Sequence, residues 1–525
     1  MKLTIKKYLY IFLCATFGLL HAQDDYSKTF GHTFFSQRPQ WSNLARRLVG
    51  VTEYLVPCDI DSLNGFLSFT PEYTRSFDRD EIGKYLFYNG TNMMTFGAAD
   101  GTGVDVFARN FFLNDDFNGT LTALPRVENA LLDIEFRLNL DEWICGLYFD
   151  IHAPLVWTRW TVNFDENITS TGTSIAANTL GNTTPASSPI GSILAAYNGQ
   201  TLNTINFPLL KQVLQFSRVD TADALNGSSE ASGKQTKTRL GDVEAALGYN
   251  FLCHEYYHLG ADFRVVFPSS NRPNAVFLFE PIAGNGKHYE VGAGFSGHYE
   301  FWNNCCDSSF GVWAETDIYT VLKGRQRRLF DLANADGTQN VGSSRLLIKK
   351  FTGAPADPVL SEILFGPNVL ALQCKVRNSY HIEAALLFDY YRCGFTLDTG
   401  YNLWTRSKDK ISNIEMIQPN TYGLQGQTLT AGPTMNETGS TAQINGIGGL
   451  PDATNIYISN SQLFIDSAAN PRAISHKFFA HGSFAWENCD YTPFLGLGGE
   501  VEFSGDHNFA LDQWGIWIKA GFAFS

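Results

Sequence analysis

The sequence carries little charge, and its charge is not mainly positive. Asp, Glu, Lys and Arg make up 17% of its 525 residues, against roughly 25% in a typical globular protein. Acidic residues outnumber basic ones by 52 to 38, which argues against a nucleic-acid-binding protein because phosphate backbones are bound by basic surfaces. Aromatic residues reach 14%, so the chain has enough apolar surface to bury and intrinsic disorder is not expected.

Long apolar runs are absent beyond the N-terminus. The mean hydropathy is -0.13, and no later run approaches the roughly 18 apolar residues of a membrane-spanning helix. At the N-terminus, three lysines precede the apolar residues 8–20, and the small Ala22 follows. This pattern predicts a secretory signal peptide over residues 1–22. Export would place the remaining cysteines where disulfides can form.

Motifs for catalysis or metal binding are also lacking. The chain has no Gly-x-Ser-x-Gly elbow and no phosphate-binding glycine loop. His254 and His258 match the HExxH zinc signature, but they lie where one predicted strand ends and the next begins. Extended residues four apart are separated by about 13 Å, too far to share one ion. We therefore assign no catalytic or metal-binding residue, expect no cofactor, and do not expect an enzyme.

From about residue 126 to the end, apolar and polar residues alternate in stretches of 10 to 14. Leu132, Ile134 and Phe136, for example, interleave with Asp133 and Glu135. Strict alternation places the two sets on opposite faces of a strand. The stretches exceed the usual strand length of 5–6 residues and match the roughly 9–11 residues that cross a bilayer obliquely.

These strands predict an all-β fold, a transmembrane antiparallel up-and-down β-barrel of about 14 strands, with 12 to 16 allowed, over residues 61–525. Such barrels have short periplasmic turns and long extracellular loops. The predicted periplasmic turns are 141–145, 252–256, 303–308, 391–393 and 487–490, and the predicted outer loops are about 164–237, 269–287, 323–377 and 406–473. The weakly alternating segment 64–113 is expected to supply three strands, near 64–77, 82–97 and 103–113. Residues 23–60 do not alternate and are predicted to be either a periplasmic lead or a plug in the lumen.

The predicted inward faces carry many more acids than bases. The acids are Asp133, Glu135, Asp150, Asp242, Glu244, Asp262, Glu290, Glu300, Glu315, Asp317, Glu383, Asp389, Asp398, Glu500 and Glu502. The bases are Arg137, Arg264, Arg406, Lys477 and Lys519. This excess predicts a negative potential and a weak preference for cations, because charged rings tune which ions enter a pore. The alternative is that these charges pair across neighbouring strands and only fill the barrel.

A basic cluster is predicted at the outer rim, where Lys323, Arg325, Arg327 and Arg328 end a strand. Arginine binds phosphate through its bidentate guanidinium group. The cluster is therefore a candidate for binding lipopolysaccharide or for forming a constriction opposite the acids, and a merely solvated cluster is the alternative.

Six cysteines fall in or beside the predicted periplasmic turns. Neighbouring turns are about 10 Å apart or more, whereas a disulfide needs Cα atoms within roughly 7 Å. The alternatives are disulfides to other molecules or to the N-terminal segment, or reduced thiols. The candidates are Cys58, Cys145, Cys253, Cys305, Cys306, Cys393 and Cys489.

The export signal, the alternation and the last strand, residues 515–525, together resemble bacterial outer-membrane porins. In that family the last strand is amphipathic and closes on an aromatic residue, whereas here Phe524 is penultimate and Ser525 follows. The resemblance implies an outer-membrane location in a Gram-negative bacterium and passive diffusion of small solutes.

The favoured hypothesis is thus an outer-membrane pore for small hydrophilic solutes. The alternatives are a structural or surface-interaction barrel with a closed lumen, or a hydrophobic-substrate transporter with a lateral opening. Expected partners are outer-membrane lipid and lipopolysaccharide, small solutes, and further copies of the chain or disulfide-linked envelope partners, with no nucleic acid. The sequence leaves the solute, the strand number, the oligomeric state, the disulfide pairing and the role of residues 23–60 open.

Overall fold

A computed structural model describes residues 31–34, 36–56, 63–87, 90–98, 103–108, 113–114, 116–173, 191–194, 234–254, 256–304, 308–333, 337–340, 342–354, 357–424, 457–486, 491–505 and 509–524. The predicted signal peptide and four candidate disulfide cysteines, Cys58, Cys305, Cys306 and Cys489, lie outside these residues.

Twelve antiparallel strands close into a barrel, each paired with its neighbours in the chain, and the first strand pairs with the last. They are β1 (Asn64–Ser76), β2 (Arg126–Asn139), β3 (Leu147–Thr161), β4 (Val243–His254), β5 (Tyr257–Phe267), β6 (Glu290–Asn303), β7 (Ser308–Leu329), β8 (Ala371–Arg392), β9 (Phe395–Arg406), β10 (Ala473–Ala485), β11 (Tyr491–Ser504) and β12 (Gln513–Phe524). The predicted closed antiparallel barrel is confirmed, and its strand number lies at the lower end of the expected range.

The alternating polar and apolar residues of the strands lie on opposite faces of the barrel wall. Polar residues such as Asp133 and Glu244 are buried inside, whereas Leu247, Phe263 and Leu497 are more than half exposed on the outside. In hydrocarbon every backbone group must be paired, so closed barrels with an apolar outer belt are the β architecture of membranes. The chain is accordingly a protein of the outer membrane of a Gram-negative bacterium.

The prediction of three barrel strands in residues 64–113 is wrong. Only β1 joins the wall, and the chain then forms a helix, α3 (Arg79–Leu86). The strand Met93–Gly97 pairs with Val106–Phe107 and Asn118–Ala123 in a separate four-stranded sheet that Phe164–Ser170 completes. This sheet belongs to the outer loops because both of its long connections leave the wall at the outer end.

The outer loops fold into a cap above the barrel. Besides the four-stranded sheet, the cap holds two three-stranded sheets, the helix α4 (Pro367–Leu370) and short 3-10 turns. One sheet contains Asp331–Ala333, Gln339–Asn340 and Leu463–Phe464, and the other contains Leu347–Ala354, Asp357–Phe365 and Tyr422–Leu424. The 3-10 turns are Ser343–Arg345, Asn460–Gln462, Ile465–Ala468 and Phe509–Leu511. A shared apolar core that includes Phe96, Trp160, Phe330 and Leu370 joins these pieces.

Two further strands extend the wall at its outer end. Lys234–Leu240 pairs with the end of β3, and Asp409–Ser412 pairs with β8. Strands β7 and β8 each have 22 residues and therefore reach well beyond the bilayer. Two short helices, α1 (Leu44–Leu48) and α2 (Thr52–Leu55), precede β1.

Among the described residues, no helix is both long enough and apolar enough to cross a membrane.

Candidate functional site: the lumen and its outer chamber

The lumen of the barrel contains the chain's own N-terminal region, residues 31–34 and 36–56, which we call the luminal segment. Near its start, the Thr33 N–H donates to the Ser467 carbonyl oxygen (3.0 Å) at the outer end. Near its end, the Thr52 hydroxyl donates to the Asp389 carboxylate (2.9 Å), close to the turn between β8 and β9. The segment therefore runs down the barrel from the outer end to the end where the short turns lie.

Helix α1 places two adjacent arginines in the middle of the lumen. The Asn43 side chain caps the helix by accepting from the Arg46 N–H (3.3 Å). Leu44 and Leu48 belong to an apolar cluster that includes Trp517 of the wall. With this apolar face packed, the side chains of Arg46 and Arg47 reach different groups of wall carboxylates.

Arg46 is held by one carboxylate from each of two neighbouring strands. Its Nη1 donates to Glu72 Oε2 (2.5 Å) and its Nε donates to Asp133 Oδ2 (2.9 Å), while Nη2 donates to the Gln40 carbonyl (2.8 Å). The Arg46 side chain is 2% exposed. Such charge-assisted bonds are stronger than neutral ones, and they tie the luminal segment to β1 and β2.

Arg47 lies at the centre of a larger acidic group. Its guanidinium nitrogens lie 3.4–4.0 Å from four carboxylates, and all four pairs are buried. The wall arginine Arg264 contacts three of the same acids at 2.7–2.8 Å. The four carboxylates belong to Glu135, Glu244, Glu315 and Asp317.

A third arginine secures the outer half of the luminal segment. Arg38 donates to Glu383, to Glu502 Oε1 (3.0 Å) and to the Asn402 amide oxygen (2.9 Å). Glu383 also accepts from the Ser42 hydroxyl and from the Leu44 N–H, both at 2.6 Å. One wall carboxylate thus holds three points of the segment.

Between α1 and α2 the segment turns at Gly50, whose φ of +69° favours glycine. The Gly50 N–H donates to Asp398 Oδ2 (2.6 Å). A Cβ at this position would lie 2.8 Å from His481 Nε2, so the wall leaves no room for a side chain. Lys519 completes the contact by donating to the Arg47 carbonyl (2.6 Å).

The structure places the predicted lumen charges inside the barrel and brings most of them onto the luminal segment or onto one another. All fifteen acids except Glu300 are buried, and Glu300 and Arg406 are half-buried. Lys477 pairs with Glu500 (2.7 Å), and Arg137 pairs with Asp150 (3.7 Å).

Beside the outer part of the luminal segment lies a chamber of about 50 Å³. Polar lining residues include Arg328, Arg406 and Asp409, and apolar lining residues include Phe34, Ile282 and Trp404. Asp409 accepts from Arg406 (2.7 Å) and from Arg328 (3.1 Å), and the Arg328 guanidinium carbon lies 3.2 Å from the centre of the Phe34 ring. The chamber therefore offers both a charged and an apolar lining.

The barrel wall is irregular beside this chamber. The pairing of β7 with β8 shifts between Tyr319 and Val321 and again between Val321 and Gly324. On the opposite edge of β8, the hydroxyl of Ser407, just after β9, accepts from the N–H groups of the bulged residues Ser379 (2.9 Å) and Tyr380 (3.3 Å). Bulges of this kind bend a strand and interrupt pairing.

The predicted rim cluster divides into two parts. Lys323 and Arg325 are exposed on the outer face, and Arg327 is half-buried and pairs with Glu415 (3.8 Å). Arg328 points the other way and lines the chamber. Successive side chains of a strand point to opposite faces, so Arg328 faces inward whereas Arg325 and Arg327 face outward.

The cysteines among the described residues differ in oxidation state and in exposure. Cys253 is disulfide-bonded. Cys145 carries an exposed free thiol and Cys374 a buried one, while Cys393 is exposed at the turn between β8 and β9.

Sequence reasoning did not single out Arg38 or Glu72 as functional. Glu72 lies on the buried face of β1 between Thr70 and Thr74, and that short alternation was the available signal. Arg38 lies in a segment without periodicity, so nothing local indicates its wall partners.

No family model matches the sequence, and no curated protein matches it. Among solved structures, the chain is similar to the COG4313 outer membrane channel from Pseudomonas putida F1, with 11% identity, a TM-score of 0.34, and coverage of 90% of this chain and 100% of that one. It is also similar to a Pseudomonas aeruginosa FadL homologue (8% identity, TM-score 0.24, 88% and 89% covered). A third likeness is to the Pseudomonas putida toluene transporter TodX (10% identity, TM-score 0.26, 95% and 96% covered). No family assignment follows from likenesses at this level.

Proposed function

We propose that this protein is an outer-membrane channel that is closed at rest, with the luminal segment as its plug. The observation that supports this proposal is the set of buried ion pairs between Arg38, Arg46 and Arg47 and carboxylates of the wall. Removing one partner of a buried pair costs several kcal/mol, so thermal motion displaces the plug only rarely. An open pore for hydrophilic solutes is less favoured. Such solutes need a continuous aqueous path through the lumen, and the luminal segment occupies that path.

We further propose hydrophobic substrates that carry a polar group. The chamber lining places Arg328 and Arg406 beside Phe34, Ile282 and Trp404, so it offers partners for both a polar head and an apolar body. At about 50 Å³ it is smaller than a ligand pocket, so we propose that the outer part of the luminal segment moves aside when substrate binds. An apolar solute can leave sideways into lipid without crossing the plugged lumen. The interrupted ladder between β7 and β8 lies beside the chamber and is the exit we propose.

Two measurements on the purified, folded protein test this proposal. In planar bilayers we expect no sustained conductance, and in proteoliposomes we expect uptake of a fluorescent fatty acid above that of protein-free vesicles. Steady conductance, together with swelling of the proteoliposomes in sugar solutions, would show that the protein is an open pore. Absence of both conductance and uptake would instead favour the structural or surface-interaction barrel.

A serine pair tests the lateral exit. Ser407→Ala removes the acceptor of the Ser379 and Tyr380 N–H groups and the donor to Asn378. It should loosen the bulged part of β8 by at least about 1 kcal/mol, the net worth of one such hydrogen bond. We expect uptake of the fatty acid to rise about fivefold or more, because the exit opens more readily, while sugar permeability stays unchanged. Ser412→Ala, on the neighbouring strand with a long 3.4 Å bond to the Lys375 carbonyl, is the matched control. Equal uptake by the two variants would rule out this exit.

A further inference from the structure

Five exposed basic residues form a patch on the outward face of the wall, which we call the rim patch. They are Lys323, Arg325, Lys375, Arg377 and Lys410. The residues that alternate with them, such as Gln326, Cys374 and Val376, are at most 2% exposed. The patch therefore faces away from the lumen.

Strand register brings like charges together in the rim patch. Arg325 pairs directly with Lys375 across β7 and β8. Arg377 pairs directly with Lys410 across β8 and the strand Asp409–Ser412. Like charges directly opposite each other on one face destabilise a sheet, so this arrangement requires compensation.

That compensation does not come from the described part of the chain. Among its ion pairs, none involves a residue of the rim patch, and the nearby Glu415 is engaged by Arg327 (3.8 Å). Opposing positive charges at two successive rows are compatible with a bound anion that carries more than one negative group.

The height of the rim patch indicates which anion is available. On the outer face of the same strands, the exposed side chains immediately below the patch are Leu322 and Tyr380, and Ile318 lies further down. The change from apolar and aromatic to basic side chains marks the level at which hydrocarbon gives way to headgroups. At the outer end of a Gram-negative barrel, the phosphates at this level are those of lipopolysaccharide.

We propose that the rim patch binds the phosphate groups of lipopolysaccharide in the surrounding outer leaflet. Arg325 and Arg377 supply bidentate guanidinium contacts, and the three lysines supply point charges around them. A phosphate between Arg325 and Lys375 turns a repulsive pair into two charge-assisted contacts. This site is independent of the proposed channel function, which its failure would leave standing.

The test compares ligands before it compares variants. Native mass spectrometry of the full protein in neutral detergent measures binding of bisphosphorylated lipid A, dephosphorylated lipid A and phosphatidylglycerol. We expect bisphosphorylated lipid A to bind about tenfold or more tightly than its dephosphorylated form, because each charge-assisted contact is worth more than a neutral one. Equal binding of the two lipid A forms would overturn the proposal, and so would equal binding of phosphatidylglycerol.

Variants then locate the site. Arg325→Gln, Lys375→Gln, Arg377→Gln and Lys410→Gln combined should reduce binding of bisphosphorylated lipid A to the level of the dephosphorylated form. The charge-conserving control, Arg325→Lys with Lys375→Arg, should keep binding within about twofold. Heat-modifiable migration in gels verifies that each barrel is folded. Unchanged binding by the folded quadruple variant would place the lipid elsewhere.

Discussion

Arg46 provides the sharpest test of the plug, because its replacement leaves the barrel strands intact. In Arg46→Met, the carboxylates of Glu72 and Asp133 lose their 2.5 and 2.9 Å contacts and remain buried beneath the luminal segment. Breaking a buried pair in this way costs about 3–5 kcal/mol. That cost falls on the plugged state, since water hydrates both carboxylates once the segment moves.

The expected size of the effect follows from that energy. At 1.4 kcal/mol per factor of ten, the population of the displaced state of the plug rises about 100-fold to several thousand-fold. In planar bilayers we expect Arg46→Met to show frequent openings where the unchanged protein shows none. The open state should prefer cations, because the wall acids are then no longer neutralised by the segment.

Two controls separate plug release from general damage. Arg159→Met removes an arginine whose pair with Glu128 is partly exposed, and such pairs contribute little, so this variant should stay silent. Adding Glu72→Gln and Asp133→Asn to Arg46→Met removes the stranded charges and should restore closure in large part. If Arg46→Met is as silent as Arg159→Met in a barrel that migrates as folded, the ion pairs do not hold the lumen shut.

Two other predictions concern the turn of the segment and the outer mouth. Gly50→Ala forces a Cβ to within 2.8 Å of His481 Nε2 at a φ of +69°, so we expect about tenfold more openings, for a strain of roughly 1–2 kcal/mol; unchanged openings would contradict a tight fit. Burial and the nearby Asp78 carboxylate raise the pKa of Asp512 to about 7. Because the folded form favours the protonated acid, the contribution of Asp512 to the stability of the outer mouth is greatest below about pH 4 and is lost as pH rises through 7. Protection factors of the amides of residues 509–513, which correct for the intrinsic exchange rate at each pH, should show this change, and Asp512→Asn should abolish it; pH-independent protection in the unchanged protein would refute it.

The local pattern of the sequence was sufficient for the wall. Alternation with period two determines which side chains of a strand share a face, so acids such as Asp133 and Glu244 were placed on the inner face without knowledge of their neighbours. The segment 64–113 shows where that reasoning fails. Its short alternating stretches resemble barrel strands, but Met93–Gly97 pairs within the cap, and pairing partners are not encoded in periodicity.

The sequence by itself determined strands, their faces and an excess of inward acids, because these depend on spacing along one stretch of chain. Only the tertiary structure decided the number twelve, which depends on β1 meeting β12, and the partners of those acids. Arg38 and Glu502 are separated by 464 positions in the sequence yet lie 3.0 Å apart. Contacts of that kind arise from closure of the barrel around its own N-terminal segment, and no local pattern records them.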